Sequence, residues 1–158
     1  MKPVTAAATV SKSSQEVYEF LAVLANHEAF LNHMLVDWEF SGPKRGVGAR
    51  ARARANTPGS QDWTELEIVE AEPNRIVEEG VGAKGKRRTR GTYLLEELPA
   101  GRTRVRFELA WLEASRLERL FPPLTRAFAR RPSAKAMRRL AKQLTRRNDT
   151  AQPTEETT

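Results

Sequence analysis

The sequence predicts a single α+β domain in which one antiparallel sheet of six to seven strands wraps around a long C-terminal helix, with two short helices after the first strand. Three observations indicate this fold class. Apolar and polar residues alternate over successive segments between residues 34 and 112, as they do in half-buried strands. Apolar residues then recur at helical spacing over residues 115–147. Turns that contain Gly and Pro separate the alternating segments.

Length and composition favour one globular unit. The chain has 158 residues, and we expect a domain over residues 1–147 followed by a disordered polar tail over residues 148–158. It has no run of about 18 apolar residues that could span a membrane, and its first residues lack the apolar segment of a signal peptide. Cysteine is absent, which excludes disulfides, Cys-ligated zinc and a thiol nucleophile. We therefore expect a cytoplasmic protein.

The positive charge of the chain is concentrated in one segment. Residues 116–147 hold eleven Lys and Arg against Glu118 alone, whereas residues 1–115 carry equal numbers of acidic and basic residues. The basic segment is open to three interpretations. It is a solvated helix face, or it docks on an anionic membrane through residues such as Arg130, Arg131, Arg138 and Arg139, or it binds nucleic acid. Nucleic acid is the least favoured partner because no recognition motif accompanies the charges.

The N-terminal third predicts one strand and two short helices. Residues 4–10 are rich in β-branched residues and Ala, which indicates a first strand. Ser13 and Glu16 have the spacing of a capping box, and apolar residues at helical spacing follow up to Leu24. This helix is expected to end near Asn26, and a second short helix is expected over residues 27–33.

The strand over residues 49–55 alternates Ala with Arg, placing three arginines on one face. Because an arginine cannot cheaply face an apolar core, the alanines are expected to face inward and to leave space there. Glu65 and Glu67 of the next strand would then lie beside the arginines, which explains the arginine ladder without a nucleic-acid role. Further strands are predicted over residues 75–81, 87–97 and 103–112, with turns at residues 82–86 and 98–101.

The C-terminal segment carries two apolar stripes that do not align on a straight helix. The first contains Leu117, Leu120, Phe121, Leu124 and Phe128, and the second contains Met137, Leu140 and Leu144. From Phe121 to Met137 the helix rotates by about 160°. Since Pro132 lies between the stripes, we predict a kink or break near this residue that lets both stripes face the sheet.

Five local segments resemble the START-like superfamily, which includes polyketide cyclase/dehydrase and lipid-transport proteins and has the helix-grip fold. Residues 14–21 look like its first helix, residues 25–28 like its Asn-His element, and residues 42–50 like its Gly-rich turn into the third strand. Residues 70–75 resemble its turn before the fifth strand, and residues 101–105 its entry to the last. The resemblance covers residues 4–146. Phe30 and Leu31 depart from it, because relatives often carry Pro and Trp there.

The resemblance implies a cavity between the sheet and the long helix that binds a lipid, a polyketide or a quinone-like molecule. The inward faces of the predicted strands and helix supply its expected walls, which are Trp38, Phe40, Leu66, Ile68, Tyr93, Phe107, Leu109, Leu124 and Phe128. Some relatives are cyclases or dehydratases, so an enzyme of that type, without a metal or nucleotide cofactor, is the alternative. The fold does not decide between them.

Few residues qualify as catalytic candidates. Tyr93 is the favoured one, as a phenol facing an apolar pocket, although a core tyrosine is the more common explanation. Glu78 and Glu79 are adjacent, so one of them is expected to face inward, and the same holds for Glu96 and Glu97. No Gly-x-Ser-x-Gly elbow and no phosphate-binding loop is present.

No metal site is expected. His27, His33 and Asp37 have the residue types of a two-His-one-carboxylate site. The six-residue spacing of the histidines places them on opposite sides of an ideal helix, and Asp37 points away from the apolar face of its strand. Both histidines are interpreted as helix-end or surface residues.

Overall fold

The computed structural model describes residues 1–58 and 61–151, with backbone only for residues 148–151. Within these residues, seven strands and four α-helices follow one another, with one 3-10 turn at Leu24–His27 between α1 and α2. The strands are β1 Val4–Val10, β2 Leu35–Ser41, β3 Arg50–Ala55, β4 Trp63–Glu72, β5 Arg75–Gly82, β6 Arg87–Leu98 and β7 Arg102–Glu113. The helices are α1 Ser14–Leu21, α2 Glu28–Leu31, α3 Arg116–Leu120 and α4 Pro122–Ala151.

All seven strands form one antiparallel sheet in the order β1-β7-β6-β5-β4-β3-β2. The sequence therefore predicted the strand number and the fold class correctly. The sequential hairpins from β2 to β7 explain the order, since each strand pairs with the next along the chain, and β1 closes the far edge against β7. The turns between β5 and β6 and between β6 and β7 lie where the sequence predicted them.

Helix α1 begins at the predicted capping box. The Ser13 side chain accepts from the Glu16 backbone N–H, and the Glu16 carboxylate accepts from the Ser13 backbone N–H. Val17, Phe20 and Leu21 form its buried face. The chain then makes the 3-10 turn and α2, so the second helix is shorter than predicted.

The arginine ladder has the predicted structural explanation. Ala49, Ala51 and Ala53 are buried, while Arg50 pairs with Glu67 across β3 and β4 at 3.4 Å. Arg52 lies opposite Glu65 and stacks its guanidinium over a Trp ring of the same strand pair. These contacts lie on the face of the sheet opposite the buried alanines.

The inner face of the sheet is closed at one end. Ile76, Tyr93 and Phe107 oppose one another across β5, β6 and β7, and all three are buried. Helices α1 and α2 and the C-terminal half of α4 contribute to the same core, in which Met137, Leu140 and Leu144 are each no more than 2% exposed. The second apolar stripe of the C-terminal segment therefore faces inward, as predicted.

The predicted break at Pro132 is wrong, and so is the predicted burial of the first stripe. Helix α4 is continuous from Pro122 to Ala151 with Pro132 inside it. Leu124 and Leu140 are sixteen residues apart, which is about 160° of rotation in an unbroken helix. Leu140 is fully buried, and Leu124 is 54% exposed. Because the helix does not break, its two stripes point in nearly opposite directions.

Helix α3 begins at a second capping box that the sequence analysis did not identify. The Ser115 side chain accepts a hydrogen bond from the Glu118 backbone N–H, and the Glu118 carboxylate accepts one from the Ser115 backbone N–H. The same carboxylate forms an ion pair with Arg87. At the other end, α4 continues to Ala151, past residue 147 where we expected the domain to end. The remainder of the predicted disordered tail, residues 152–158, lies outside the described residues.

Candidate functional site

The inner face of the sheet opens toward the end of the molecule that carries α3. Leu66, Gly80, Thr89 and Trp111 oppose one another in a row across β4, β5, β6 and β7. Leu66, Thr89 and Trp111 are half-buried, in contrast to the closed row that contains Tyr93. We call this open part of the inner face the concave cleft. It presents apolar side chains that the helices leave uncovered.

A surface depression lies at the same end of the sheet. It has a volume of about 670 Å³ and is lined by Lys86, Glu113, Ser115, Arg116, Leu117 and Arg119. These residues belong to the start of β6, the end of β7 and helix α3. None of them was among the predicted walls. Solvent therefore reaches the surface next to the open end of the inner face.

A buried polar cluster joins Tyr93 of the closed row to Glu78 of the next row and to His27. His27, Glu78 and Tyr93 are 0%, 6% and 1% exposed. The 3-10 turn supplies His27, β5 supplies Glu78 and β6 supplies Tyr93. His27 Nδ1 and Glu78 Oε2 lie 3.2 Å apart. The two atoms are out of hydrogen-bond alignment, and neither has a hydrogen-bond partner among the described residues.

Gly91 makes room for the Glu78 side chain. It lies directly opposite Glu78 in the β5–β6 pair. A Cβ atom at Gly91 would lie 3.2 Å from Glu78 Cγ and 3.0 Å from Phe107 Cε2, both of which are tight contacts. The sequence therefore permits Glu78 to lie flat on the inner face, one row inside Gly80.

The hydrogen bonds of His27 fix one of its protons. Its Nε2 atom lies 2.7 Å from the Leu21 carbonyl oxygen, and a carbonyl oxygen only accepts, so Nε2 donates. The Nδ1 atom then faces Glu78 either with a second proton or with a lone pair. The His27 ring nitrogen and the Glu78 carboxyl oxygen thus lie together at the inner end of the cleft.

Tyr93 completes the cluster as a buried phenol next to Glu78. Burial raises the pKa of the Tyr93 phenol well above its ordinary value, and the charge of Glu78 and the hydrogen bond between the two side chains raise it further. The phenol therefore stays protonated beside Glu78. Its ring also packs edge-on against His27, with 5.6 Å between the centroids. This arrangement can hold Glu78 in one orientation.

The sequence analysis found only part of this cluster. It named Tyr93, and it expected one residue of the Glu78–Glu79 pair to face inward without deciding which. The structure places Glu78 inside and Glu79 outside, where Glu79 pairs with Arg90 at 2.7 Å. His27 was missed: it does end a helical turn, but it is fully buried and not at the surface. No local pattern marks a histidine whose partners come from distant strands.

Six of the nine predicted wall residues lie on or beside the core. Ile68, Tyr93 and Phe107 are buried in it. Trp38, Leu66 and Leu109 are half-buried and pack against it.

The other three predicted wall residues are exposed. Phe40 is 43% exposed and stacks on Trp38 at 5.8 Å between the ring centroids. Leu124 and Phe128 are 54% and 73% exposed. They lie on the outward stripe of the continuous helix α4, so the structure does not bring them together with the six residues at the core.

The remaining polar candidates have structural partners. His33 Nε2 lies 3.0 Å from the Pro132 carbonyl oxygen, and His33 Nδ1 lies 3.2 Å from an Arg139 guanidinium nitrogen. Asp37 pairs with Arg54 at 2.6 Å. Within residues 1–58 and 61–151, no group of three or more His, Asp or Glu is placed to hold a metal ion. Glu96 and Glu97 are both exposed.

Solved structures share this architecture over almost the whole chain. An aromatase/cyclase from a Streptomyces species superposes with a TM-score of 0.71 at 15% identity, covering 93% of this chain and 95% of that one. A protein from Thermus thermophilus superposes with a TM-score of 0.72 at 17% identity, covering 92% and 99%. The chain has the helix-grip fold. Norcoclaurine synthase from Thalictrum flavum also has this fold, with a TM-score of 0.68, 13% identity and coverage of 91% and 86%.

Comparisons with protein-family models and with curated proteins give no match. The solved structures that share the fold include an aromatase/cyclase and norcoclaurine synthase. In the described part of the chain, no helix combines the length and apolar character that a membrane span requires.

Proposed function

We propose that this helix-grip protein binds a hydrophobic small molecule, of a lipid, polyketide or quinone-like kind, in the concave cleft. The observation that carries the proposal is the half-exposed apolar row of the inner face, which includes Leu66 and Trp111 and continues into Leu109. Apolar side chains in a concave surface favour burial of an apolar ligand, by about 25 cal/mol for each Å² of apolar surface removed from water. The absence of cysteine supports a cytoplasmic location.

The buried cluster gives the proposed cleft a polar inner end. Glu78 lies one row inside the open row, beside Gly91, which has no side chain to cover it. A ligand that fills the cleft would meet this carboxyl group after crossing Leu109 and Thr89. The proposal therefore keeps Leu66, Ile68, Tyr93, Phe107, Leu109 and Trp38 as wall residues. It assigns Phe40, Leu124 and Phe128 to the rim at most, because they are exposed.

The first experiment extracts purified protein with organic solvent and identifies the released compounds by mass spectrometry. Leu109→Trp fills the cleft and is expected to lower the yield of any co-purified apolar compound. Val69→Trp is the matched control, since Val69 is 38% exposed on the outer face beside the buried Ile68. Equal yields from the two variants, or a protein that is empty and binds no apolar probe, would contradict the proposal.

A second candidate function is acid–base catalysis of the cyclase or dehydratase type. The specific observation in its favour is the Glu78–His27 pair, which can accept a proton from a carbon acid and return one to a departing hydroxyl group. Tyr93 and His27 would position Glu78 through the contacts described above. Neither step requires a cofactor, because the substrate loses one proton and one hydroxide, which leave together as water without any change in oxidation state.

Catalysis is tested with a poly-β-ketone analogue whose dehydration is followed by mass spectrometry. Glu78→Gln preserves the shape of the side chain but removes its proton chemistry, so turnover should fall by at least about a hundredfold. Tyr93→Phe should cause a smaller loss. No turnover by the wild-type protein, or equal turnover by wild type and Glu78→Gln, would rule out this candidate and leave ligand binding untouched.

A further inference from the structure

The outward stripe of α3 and α4 is an apolar surface. We call it the apolar ridge, and it consists of five side chains that are each at least 54% exposed. They are Leu117, Leu120, Phe121, Leu124 and Phe128. A soluble helix normally presents polar side chains to water on the face opposite its packed stripe. A contiguous group of exposed leucines and phenylalanines is typical of a surface that meets another apolar phase.

The same helix face becomes basic after the ridge. Leu124 and Phe128 are followed at alternating spacings of three and four residues by Arg131, Lys135, Arg138 and Lys142. This spacing keeps all six residues on one side of the helix, and the four cations are exposed. One face of α4 therefore runs from apolar to basic along its length.

Acidic residues do not offset this charge. Glu118 is the one acidic residue between residues 116 and 147. Its carboxylate is occupied by Arg87 and by the Ser115 backbone. Burial tends to raise the pKa of Glu118, but the Ser115 hydrogen bonds and Arg87 outweigh it, so that the pKa is lowered and the group stays ionised within that pair.

Two of the four arginines first assigned to membrane contact are not on this face. Arg139 is half-buried and contacts His33. Arg130 follows Phe128 by two residues, which turns it about 160° away from the ridge. The other two, Arg131 and Arg138, lie on the same face of α4 as the apolar ridge.

We propose that the apolar ridge and the basic half of α4 together form a docking surface for an anionic lipid bilayer. Leu and Phe side chains enter the acyl boundary while Lys and Arg contact the headgroup phosphates, as in interfacial amphipathic helices. Charge complementarity favours this occupant. A second copy of the same face would bring two basic segments together, and nucleic acid offers phosphates but no apolar phase for the ridge. The proposal is independent of the concave cleft.

Vesicle co-sedimentation tests the surface directly. Wild-type protein should bind vesicles that contain phosphatidylglycerol and not vesicles of phosphatidylcholine alone, and added salt should weaken the binding. The double variant Leu124→Ser/Phe128→Ser should lose about tenfold or more in affinity. Arg131→Gln/Arg138→Gln should lose about thirtyfold, since each cation near an anionic surface contributes about 1 kcal/mol.

Matched controls separate the surface from general charge and hydrophobicity. Val47→Ser removes an apolar residue that is 61% exposed elsewhere, and Arg45→Gln/Arg104→Gln removes two exposed cations outside α4. Both should bind vesicles like wild type. Because all substituted side chains are exposed, circular dichroism spectra should be unchanged for every variant.

Insertion of the ridge into the bilayer can be measured separately, because the chain has no cysteine of its own to react with a thiol-specific label. An environment-sensitive fluorophore attached through Phe128→Cys should brighten on anionic vesicles, and one attached through Val47→Cys should not. The proposal is overturned if both vesicle types bind equally, if ridge variants bind like wild type, or if DNA binds while vesicles do not. A stable dimer that the ridge variants dissociate, without vesicle binding, would also overturn it.

Discussion

The orientation of α4 yields a prediction based on two identical substitutions. Leu124→Ala and Leu140→Ala remove the same atoms from one continuous helix, at positions sixteen residues apart. Leu140 is fully buried against the sheet and α2, whereas Leu124 is 54% exposed. Leu140→Ala should therefore lower the free energy of unfolding by about 2 to 5 kcal/mol. Leu124→Ala should change it by no more than about 0.5 kcal/mol.

Urea denaturation followed by circular dichroism measures both values, and the slopes should match that of wild type. In thermal melts, Leu140→Ala should lower Tm by at least about 4 °C. Leu144→Ala and Phe128→Ala provide an independent pair with the same spacing, since Leu144 is 2% exposed and Phe128 is 73% exposed. If the two members of each pair lost similar stability, both stripes would face the core, the helix would be bent at Pro132, and the apolar ridge would not exist.

Three further predictions concern the core and its titratable groups. Glu78→Ala should lower the free energy of unfolding by about 1 to 3 kcal/mol in urea denaturation, because it removes the group that faces the buried His27. An unchanged free energy of unfolding would mean that Glu78 and His27 do not stabilise each other. Gly91→Ala should cost about 1 to 3 kcal/mol, since its Cβ would crowd Phe107. Burial chiefly lowers the pKa of His33 below 6.5, with Arg139 acting in the same direction against the Pro132 hydrogen bond. The contribution of neutral His33 to stability should thus be complete above pH 6.5 and be lost as the pH falls below it. His33→Gln should flatten this part of the plot of unfolding free energy against pH.

Local patterns were sufficient for most of the fold. The period-two alternation gave the strands, the capping box at Ser13 gave the start of α1, and the Ala–Arg alternation gave the faces of β3 correctly. These features depend on neighbours in sequence, or on a hairpin partner that follows directly. The seven-stranded sheet followed from them because each hairpin pairs consecutive strands.

The errors arose where distant contacts decide the outcome. Proline usually interrupts a helix, yet α4 continues through Pro132. The His33 ring, from the loop after α2, lies 3.0 Å from the Pro132 carbonyl oxygen. Without knowing that the helix is continuous, we could not decide which way each apolar stripe faces. Likewise, the buried position of His27 depends on β5 and β6, which lie about fifty residues and more away in sequence.

The candidate site was predictable in part for the same reason. Alternation placed Leu66, Tyr93 and Leu109 on the inner face correctly. It could not show that the row through Thr89 is open and the row through Tyr93 is closed, since that depends on how far the helices extend over the sheet.

Methyl NMR of the protein during titration with 1-anilinonaphthalene-8-sulfonate tests the central proposal most directly. The concave cleft and the apolar ridge both carry leucines, so the methyl signals distinguish where an apolar probe binds. Binding in the cleft predicts shifts for Leu66 and Leu109 that saturate at one probe per chain and leave Leu124 unchanged. Shifts confined to Leu124 and Leu117, with Leu66 and Leu109 unaffected, would contradict ligand binding between the sheet and the long helix.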